Sequence, residues 1–148
     1  MREFDLLEDY PKPQNPRIVS QDLRSIDHRI IASKRDQEFF DGHRNYGYGG
    51  FKYDGRWKNI AKKIVNEYKL NNNSNFLQIS SEKGFLLNDI KDLLPQIKIT
   101  GIETSKYAIK NSMDSVKNEV LLYDNYKKLN FPDNHFDFCI ALGVVYTH

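Results

Sequence analysis

Residues 76–109 read FLQISSEKGFLLNDIKDLLPQIKITGIETSKYAI, and the fold is decided there. Phe76 to Ile79 form an apolar run of strand length, followed by a polar turn closed by Gly84. Phe85, Leu86, Ile90, Leu93 and Leu94 then fall on one side of a helix that stops at Pro95. A second apolar run, Ile97 to Ile102, delivers Glu103. This order predicts a β-α-β unit. A tight turn opening a helix, with an acid about twenty residues further on, suits a nucleotide-type ligand whose ribose hydroxyls the acid accepts. Gly84 is the one glycine left in that turn, so the unit alone predicts a fold and not a cofactor.

Toward the C-terminus the alternation continues. A third helix is expected near Ser105, with Ala108, Ile109, Ser112 and Met113 inward, and a third strand over Val120 to Tyr123 ends in Asp124. Phe136 to Leu142, FDFCIAL, is nearly continuous in apolar character, as expected of a strand covered on both faces. Cys139 lies inside it and, as the one cysteine, forms no internal disulfide; it reads as a small core residue rather than a nucleophile. Strands alternating with helices predict a parallel α/β sheet with right-handed crossovers.

Toward the N-terminus the pattern loosens. Residues 1–19 carry Pro11, Pro13 and Pro16 and no apolar period, which predicts an extended arm. Ser20 is placed to cap a helix whose stripe is Leu23, Ile26, Ile30 and Ile31, ending before Phe39 and Phe40. Residues 41–57, DGHRNYGYGGFKYDGRW, hold five glycines and five aromatics, which excludes a regular helix. Two readings stand: a loop whose aromatics cover the core edge, or a lid laying Tyr46, Tyr48, Phe51 or Tyr53 over a ligand. His43 has no partner at metal-ligand spacing and reads as a loop histidine. Asp54 is a candidate cap for a helix with the stripe Trp57, Ile60, Ala61, Ile64, Val65 and Tyr68, broken by Asn71 to Asn75.

With 148 residues, the chain suits one domain, placed at 20–148, that buries roughly two thirds of its unfolded surface. A hydrophobic share of 39% excludes a wholly disordered chain, and a mean hydropathy of -0.68 gives it a strongly polar surface. No run approaches the roughly twenty apolar residues of a membrane span, and MREFDLLEDYPKP lacks a signal peptide's basic flank and apolar stretch, so a cytoplasmic protein is expected. The net charge of +2 comes from intermixed signs. The lysine pairs at 62–63 and 127–128 read as solvated faces rather than nucleic-acid contacts, with RNA neither supported nor excluded as a substrate.

Three runs carry a family signal: KGFLL at 83–87, GIETSKYAI at 101–109, and LNFPDNHFDFCIALGVVYTH at 129–148. From about Arg44 onward the sequence resembles the class I S-adenosylmethionine-dependent methyltransferases. YGYGGFKYDGRW is similar to a bacterial subgroup of this family, some members of which are associated with surface-polysaccharide genes. The resemblance implies a Rossmann-like parallel sheet, its first four strands in the order 3-2-1-4 with flanking helices, and S-adenosyl-L-methionine as cofactor. Carried over by position, it implies that Glu103 accepts both ribose hydroxyls, that Asp124 receives the adenine amino group, and that Ile102 and Tyr123 border the ring. Ser80, Ser81, Glu82 and Gly84 would form the cofactor turn. Read without the family, Glu103 and Asp124 are solvated caps at strand ends. Hydrogen bonds to a charged acceptor contribute roughly 1.5 to 3 kcal/mol each, so loss of Glu103 is expected to weaken binding about a hundredfold.

Two departures qualify the resemblance. Where the family has an acid and a Gly-x-Gly-x-Gly turn, this chain has Gln78, Ser80, Ser81, Glu82, Lys83 and Gly84. Glu82 would repel the cofactor's carboxylate unless it turned outward or gripped the amino group, leaving Lys83 to pair with the acid. The family fold also continues for three further strands. The C-terminal half is therefore expected to be missing, either by truncation or because a second copy or another protein completes the apolar edge. The acceptor is expected to be a small molecule or a saccharide. Tyr146 and His148 lie just past strand four, and His148 reads either as a general base or as a chain-end residue; no catalytic residue is assigned. A non-catalytic methyltransferase-like module is the alternative. A nicotinamide-dependent oxidoreductase fits poorly, since G-x-G-x-x-G is absent.

Overall fold

The computed structural model describes residues 4–12 and 25–144, and its centre is β1 (Asn75–Ile79). β1 pairs in parallel with β2 (Lys98–Glu103) on one side and β4 (Phe138–Ala141) on the other. β3 (Val120–Leu122) lies outside β2, so the sheet order is β3-β2-β1-β4, as expected. Beyond Leu122, one more hydrogen bond, from Tyr123 N to Glu103 O at 2.9 Å, prolongs the β2 pairing.

Right-handed crossovers put α4 (Phe85–Leu93) and α5 (Lys106–Lys110) on the same face of the sheet, because both connections step in the same direction. α3 (Lys58–Glu67) packs there too. Ile60, Ile64, Leu86 and Ile90 meet Phe76, Ile99 and Ile140 in one buried cluster. Gly84 starts α4 with φ +74, and a Cβ there would stand 2.7 Å from Val116 Cγ2, so glycine is required twice over. Leu93, expected inward, is 37% exposed in the last turn of α4.

The opposite face differs from expectation. The step from β3 to β4 runs the other way along the sheet, and its connection, 123–137, contains no helix. Register places Leu77, Ile102, Leu121 and Cys139 on this face. Leu121 is 42% exposed and Cys139 is exposed too, so β4 is not covered on both faces and its cysteine is not a core residue.

The N-terminal elements also depart from the periodic reading. Ser20, Leu23, Pro13 and Pro16 lie outside the described residues, as do Tyr146 and His148. α1 (Ile26–Ser33) is capped by Ser25, and Ile26 and Ile30 point outward at 76% and 53% exposure. α2 (Gln37–Asp41), capped by Asp36, buries Phe40 with Phe51, Phe85 and Ala108 in a second cluster. Asp54 does not cap α3. Its carboxylate instead takes the Arg56 amide at 3.1 Å and the Arg56 guanidinium at 2.6 Å, a local pairing that forestalls the cap. Within the expected extended arm, residues 4–12 turn back on themselves: Tyr10 N donates to Leu7 O, and the Tyr10 ring packs on Trp57 at 5.0 Å. Among the described residues no helix is long and apolar enough to cross a membrane, and no cluster of His, Cys, Asp and Glu could hold a metal ion.

Candidate functional site

The site begins with the turn between β1 and α4, at the carboxyl ends of the strands, where open α/β sheets take ligands. Ser80 and Glu82 have φ of +58 and +54, the left-handed region that favours glycine. Both residues hold a conformation that glycine adopts freely, at a cost of about 1–2 kcal/mol each. Hydrogen bonds hold the turn in place: Ser81 N donates to Ile102 O at 3.1 Å, Gly84 N to Ser81 O at 2.9 Å, and Glu82 N to Glu103 Oε2 at 2.8 Å. Gly101 on β2 makes room beneath it, since a Cβ there would meet Ser81 Oγ at 2.6 Å.

Glu103 is wholly buried. Its other oxygen accepts the amides of Thr104 and Ser105 at 2.8 and 3.0 Å, so three backbone donors converge on one carboxylate. The Arg35 guanidinium, arriving from the junction of α1 and α2, stands 3.5 Å from Oε2. The same guanidinium lies 3.4 Å from Ser80 Oγ and 3.7 Å from Glu82 Oε1. Arg35 has φ +47, and its guanidinium sits over the rings of Phe39 and Phe40 at 5.0 and 5.6 Å.

Two cavities open on either side of Arg35 and Ser80, which line both. The first, about 270 Å³, is bordered also by Ser33, Thr104, Asp124 and Tyr126. The second, about 310 Å³, is bordered also by Tyr48, Gln78, Glu82 and Gly143. Gln78 is 6% exposed, and its Oε1 has no hydrogen-bond partner. Glu82 receives the Tyr48 hydroxyl at 2.5 Å. Burial pushes the Glu82 carboxyl up to about 7, against the lowering pull of Tyr48 and Arg35. Burial, with Glu82 beside it, pushes the Tyr48 hydroxyl far above its ordinary value.

Of the residues that the resemblance assigned to a cofactor site, Ser80, Glu82 and Asp124 reach the cavities. Glu103 lines neither, being enclosed by the amides and Arg35. Ser81 and Ile102 are buried between turn and sheet, Gly84 shapes the helix start, and Tyr123 faces Phe131 at 6.3 Å. Lys83 is turned away from the cavities: it is 6% exposed and bonded to Asp41 at 2.7 Å and to Phe51 O at 2.9 Å, so it is not left to pair with a ligand's acid. In the 41–57 loop the core-covering reading holds for one aromatic, and another stands at a cavity. Phe51 is buried against Phe85 at 4.7 Å, whereas Tyr48 borders the second cavity.

Residues 77–147 match a family model described as a methyltransferase domain. This segment belongs to that family. Among solved structures, the glycopeptide N-methyltransferase MtfA complexed with sinefungin is similar at 16% sequence identity, with a TM-score of 0.44. The likeness covers 62% of this chain and 38% of that one, so the chain matches well under half of the neighbour's length. No curated protein matches. The methyltransferase-domain segment holds Ser80, Glu82, Glu103 and Asp124 but neither Arg35 nor Tyr48. Sequence reasoning passed over Arg35, because a charged residue between two short helices carries no pattern. Tyr48 was signalled by the density of glycine and aromatic residues around it.

Proposed function

We propose that this chain is an S-adenosylmethionine-dependent methyltransferase, or the cofactor-binding part of one, acting in the cytoplasm on a small-molecule or saccharide acceptor. One observation carries the reading: the cavity bearing Asp124 and the cavity bearing Gln78 and Glu82 adjoin at Ser80, along the carboxyl edge of a parallel sheet. The donor set fits such a cofactor. An exposed carboxylate, Asp124, suits an adenine amino group, and Gln78 Oε1 is a buried acceptor still without a partner. Asp124 and Thr104 would hold the nucleoside end, and Ser80 the middle. When bound, the sulfonium supplies a methyl group already activated for transfer. The protein's own work is then orientation and exclusion of water, with the Tyr48 ring and hydroxyl closing the second cavity.

The enclosure of Glu103 by three amides and Arg35 favours a second reading, a non-catalytic binding module. Titration calorimetry with S-adenosylmethionine and S-adenosylhomocysteine tests cofactor binding, and release of S-adenosylhomocysteine in the presence of a panel of small-molecule and saccharide acceptors, whose nucleophile takes the labelled methyl group, separates an enzyme from a non-catalytic module. Asp124→Ala is the informative variant. Its side chain is exposed, so weaker binding reports the adenine contact rather than misfolding. Glu103→Ala is not equivalent, because it strands the amides of Glu82, Thr104 and Ser105. No heat with either ligand refutes the methyltransferase reading and leaves the non-catalytic module.

A further inference from the structure

We propose that Arg35 is a gate within the ligand groove: its guanidinium closes the neck between the two cavities, and a ligand long enough to occupy both is admitted only when that side chain swings away from Ser80. This rests on the methyl-donor reading, in which the cofactor spans both cavities. It gives the choice between short and extended ligands to a residue outside the methyltransferase-domain segment, 77–147.

The first support is where the guanidinium stands. Arg35 and Ser80 line both cavities, and Arg35 Nη2 lies 3.4 Å from Ser80 Oγ, so the two side chains meet across the join. Taken singly, the cavities of about 270 and 310 Å³ are near the lower end of the roughly 300–1,000 Å³ that enclose small-molecule ligands. Together they fall well within that range. A ligand of the cofactor's length therefore fits when the neck is open and not when it is closed.

The second support is how loosely the closed position is held. The bond to Ser80 is long, and the Glu103 and Glu82 carboxylates stand 3.5 and 3.7 Å from the guanidinium, whereas charge-assisted bonds of full strength run at about 2.7–2.9 Å. Opening strands neither carboxylate, since Glu103 keeps its three amides and Glu82 keeps the Tyr48 hydroxyl. The Arg35 side chain is 20% exposed, so there is solvent for it to enter. The third support is a fixed backbone. Arg35 O accepts the Ser105 hydroxyl, and Arg35 N donates to Ala32 O at 3.2 Å. Motion is thus confined to the side chain, which can rotate while α1 and α2 stay in place.

A guanidinium that instead grips the ligand would also line both cavities, and the two roles predict opposite signs. Calorimetry compares S-adenosylhomocysteine with adenosine, which is short enough for one cavity, on wild type, Arg35→Ala and the milder Arg35→Gln. The apparent affinity of a gated site is reduced by the fraction of molecules that are open, so a neck open in about a tenth of them weakens binding about tenfold. Arg35→Ala is expected to recover that factor for S-adenosylhomocysteine, with Arg35→Gln between it and wild type, while adenosine gains nothing. Unchanged or weaker binding of S-adenosylhomocysteine by Arg35→Ala overturns the proposal, as does an equal gain for both ligands, and either result leaves the methyl-donor reading intact. Should Arg35→Ala fail to melt cooperatively, Arg35→Gln decides by the same signs. No heat from S-adenosylhomocysteine with wild type and variants alike defeats the methyl-donor reading, and the gate falls with it.

Discussion

Lys83 Nζ donates to both oxygens of Asp41, at 2.9 and 2.7 Å, and so ties the turn after β1 to the end of α2. A third bond from the same ammonium, to Phe51 O at 2.9 Å, fastens the Gly-rich loop to that turn. Tyr107 OH and Phe51 N also donate to Asp41, at 2.8 and 3.0 Å, so three donors from three segments make four hydrogen bonds to one carboxylate.

Removing one partner of this pair is therefore expected to be costly. Asp41→Ala strands an ammonium that is 6% exposed and should destabilise the fold by about 3 kcal/mol, measured by urea unfolding at pH 7. Replacing both, as Asp41→Leu with Lys83→Met, should recover much of the loss, because no buried charge is then left alone. Burial acts to raise the Asp41 pKa, but the bonds from Lys83 and Tyr107 outweigh it and hold the carboxyl below its ordinary 3.8. With a depressed folded-state pKa, the contribution is complete above about pH 4 and is lost as the pH falls below that. Wild type should lose stability faster than the double variant on acidification.

Glu82 predicts the opposite slope. Burial raises its carboxyl from 4.5 to about 7, so between those values the folded chain holds a proton that the unfolded chain releases. Its stabilising contribution is full below about pH 4.5 and disappears as the pH rises through 7. Melting temperatures taken from pH 5 to pH 8 should fall more steeply for wild type than for Glu82→Gln, which cannot titrate. Parallel curves would show that the carboxyl is ionised throughout this range.

What the sequence made legible was local. Strand and helix periods placed β1, α4 and β2 within a residue or two, and Gly84 marked the turn because only a residue without Cβ fits beside Val116. A helical stripe, however, says which side chains share a side and not what lies against them. Ile26 and Ile30 share a side of α1 and are exposed. Cys139 sits in an apolar run, yet the helix that would cover its face is absent from the 123–137 connection. The contacts that define the site are longer in range. Arg35 reaches Ser80 across 45 residues and Lys83 reaches Asp41 across 42, and no period or spacing in a single sequence encodes such pairs.

Gly101 gives a test of close approach. A methyl group there would stand 2.6 Å from Ser81 Oγ and 2.7 Å from Leu87 Cδ1, so Gly101→Ala should cost about 1–3 kcal/mol by overpacking. The Leu87 contact is the end of a flexible side chain and can yield, whereas Ser81 is fixed by its bonds to Ile102 and Gly84. Adding Ser81→Gly should therefore restore part of the loss, a positive coupling in a double-mutant cycle read by denaturant unfolding. Strict additivity would show that the turn itself shifts to admit the methyl group.

The uncovered end of the Cys139 face, at β4, is testable through the chain's one thiol. Cys139 is exposed on β4, beside the unpaired edge of the described sheet, and partial burial raises its pKa above the ordinary 9.0. The folded protein should accordingly titrate one thiol per chain with a disulfide reagent in the absence of denaturant, at a rate that still climbs above pH 9. A second chain docked on β4 would shield that sulfur, so the rate should then fall as protein concentration rises. A rate independent of concentration would place β4 at a free edge in solution, and a thiol silent until urea is added would show that the face is covered after all.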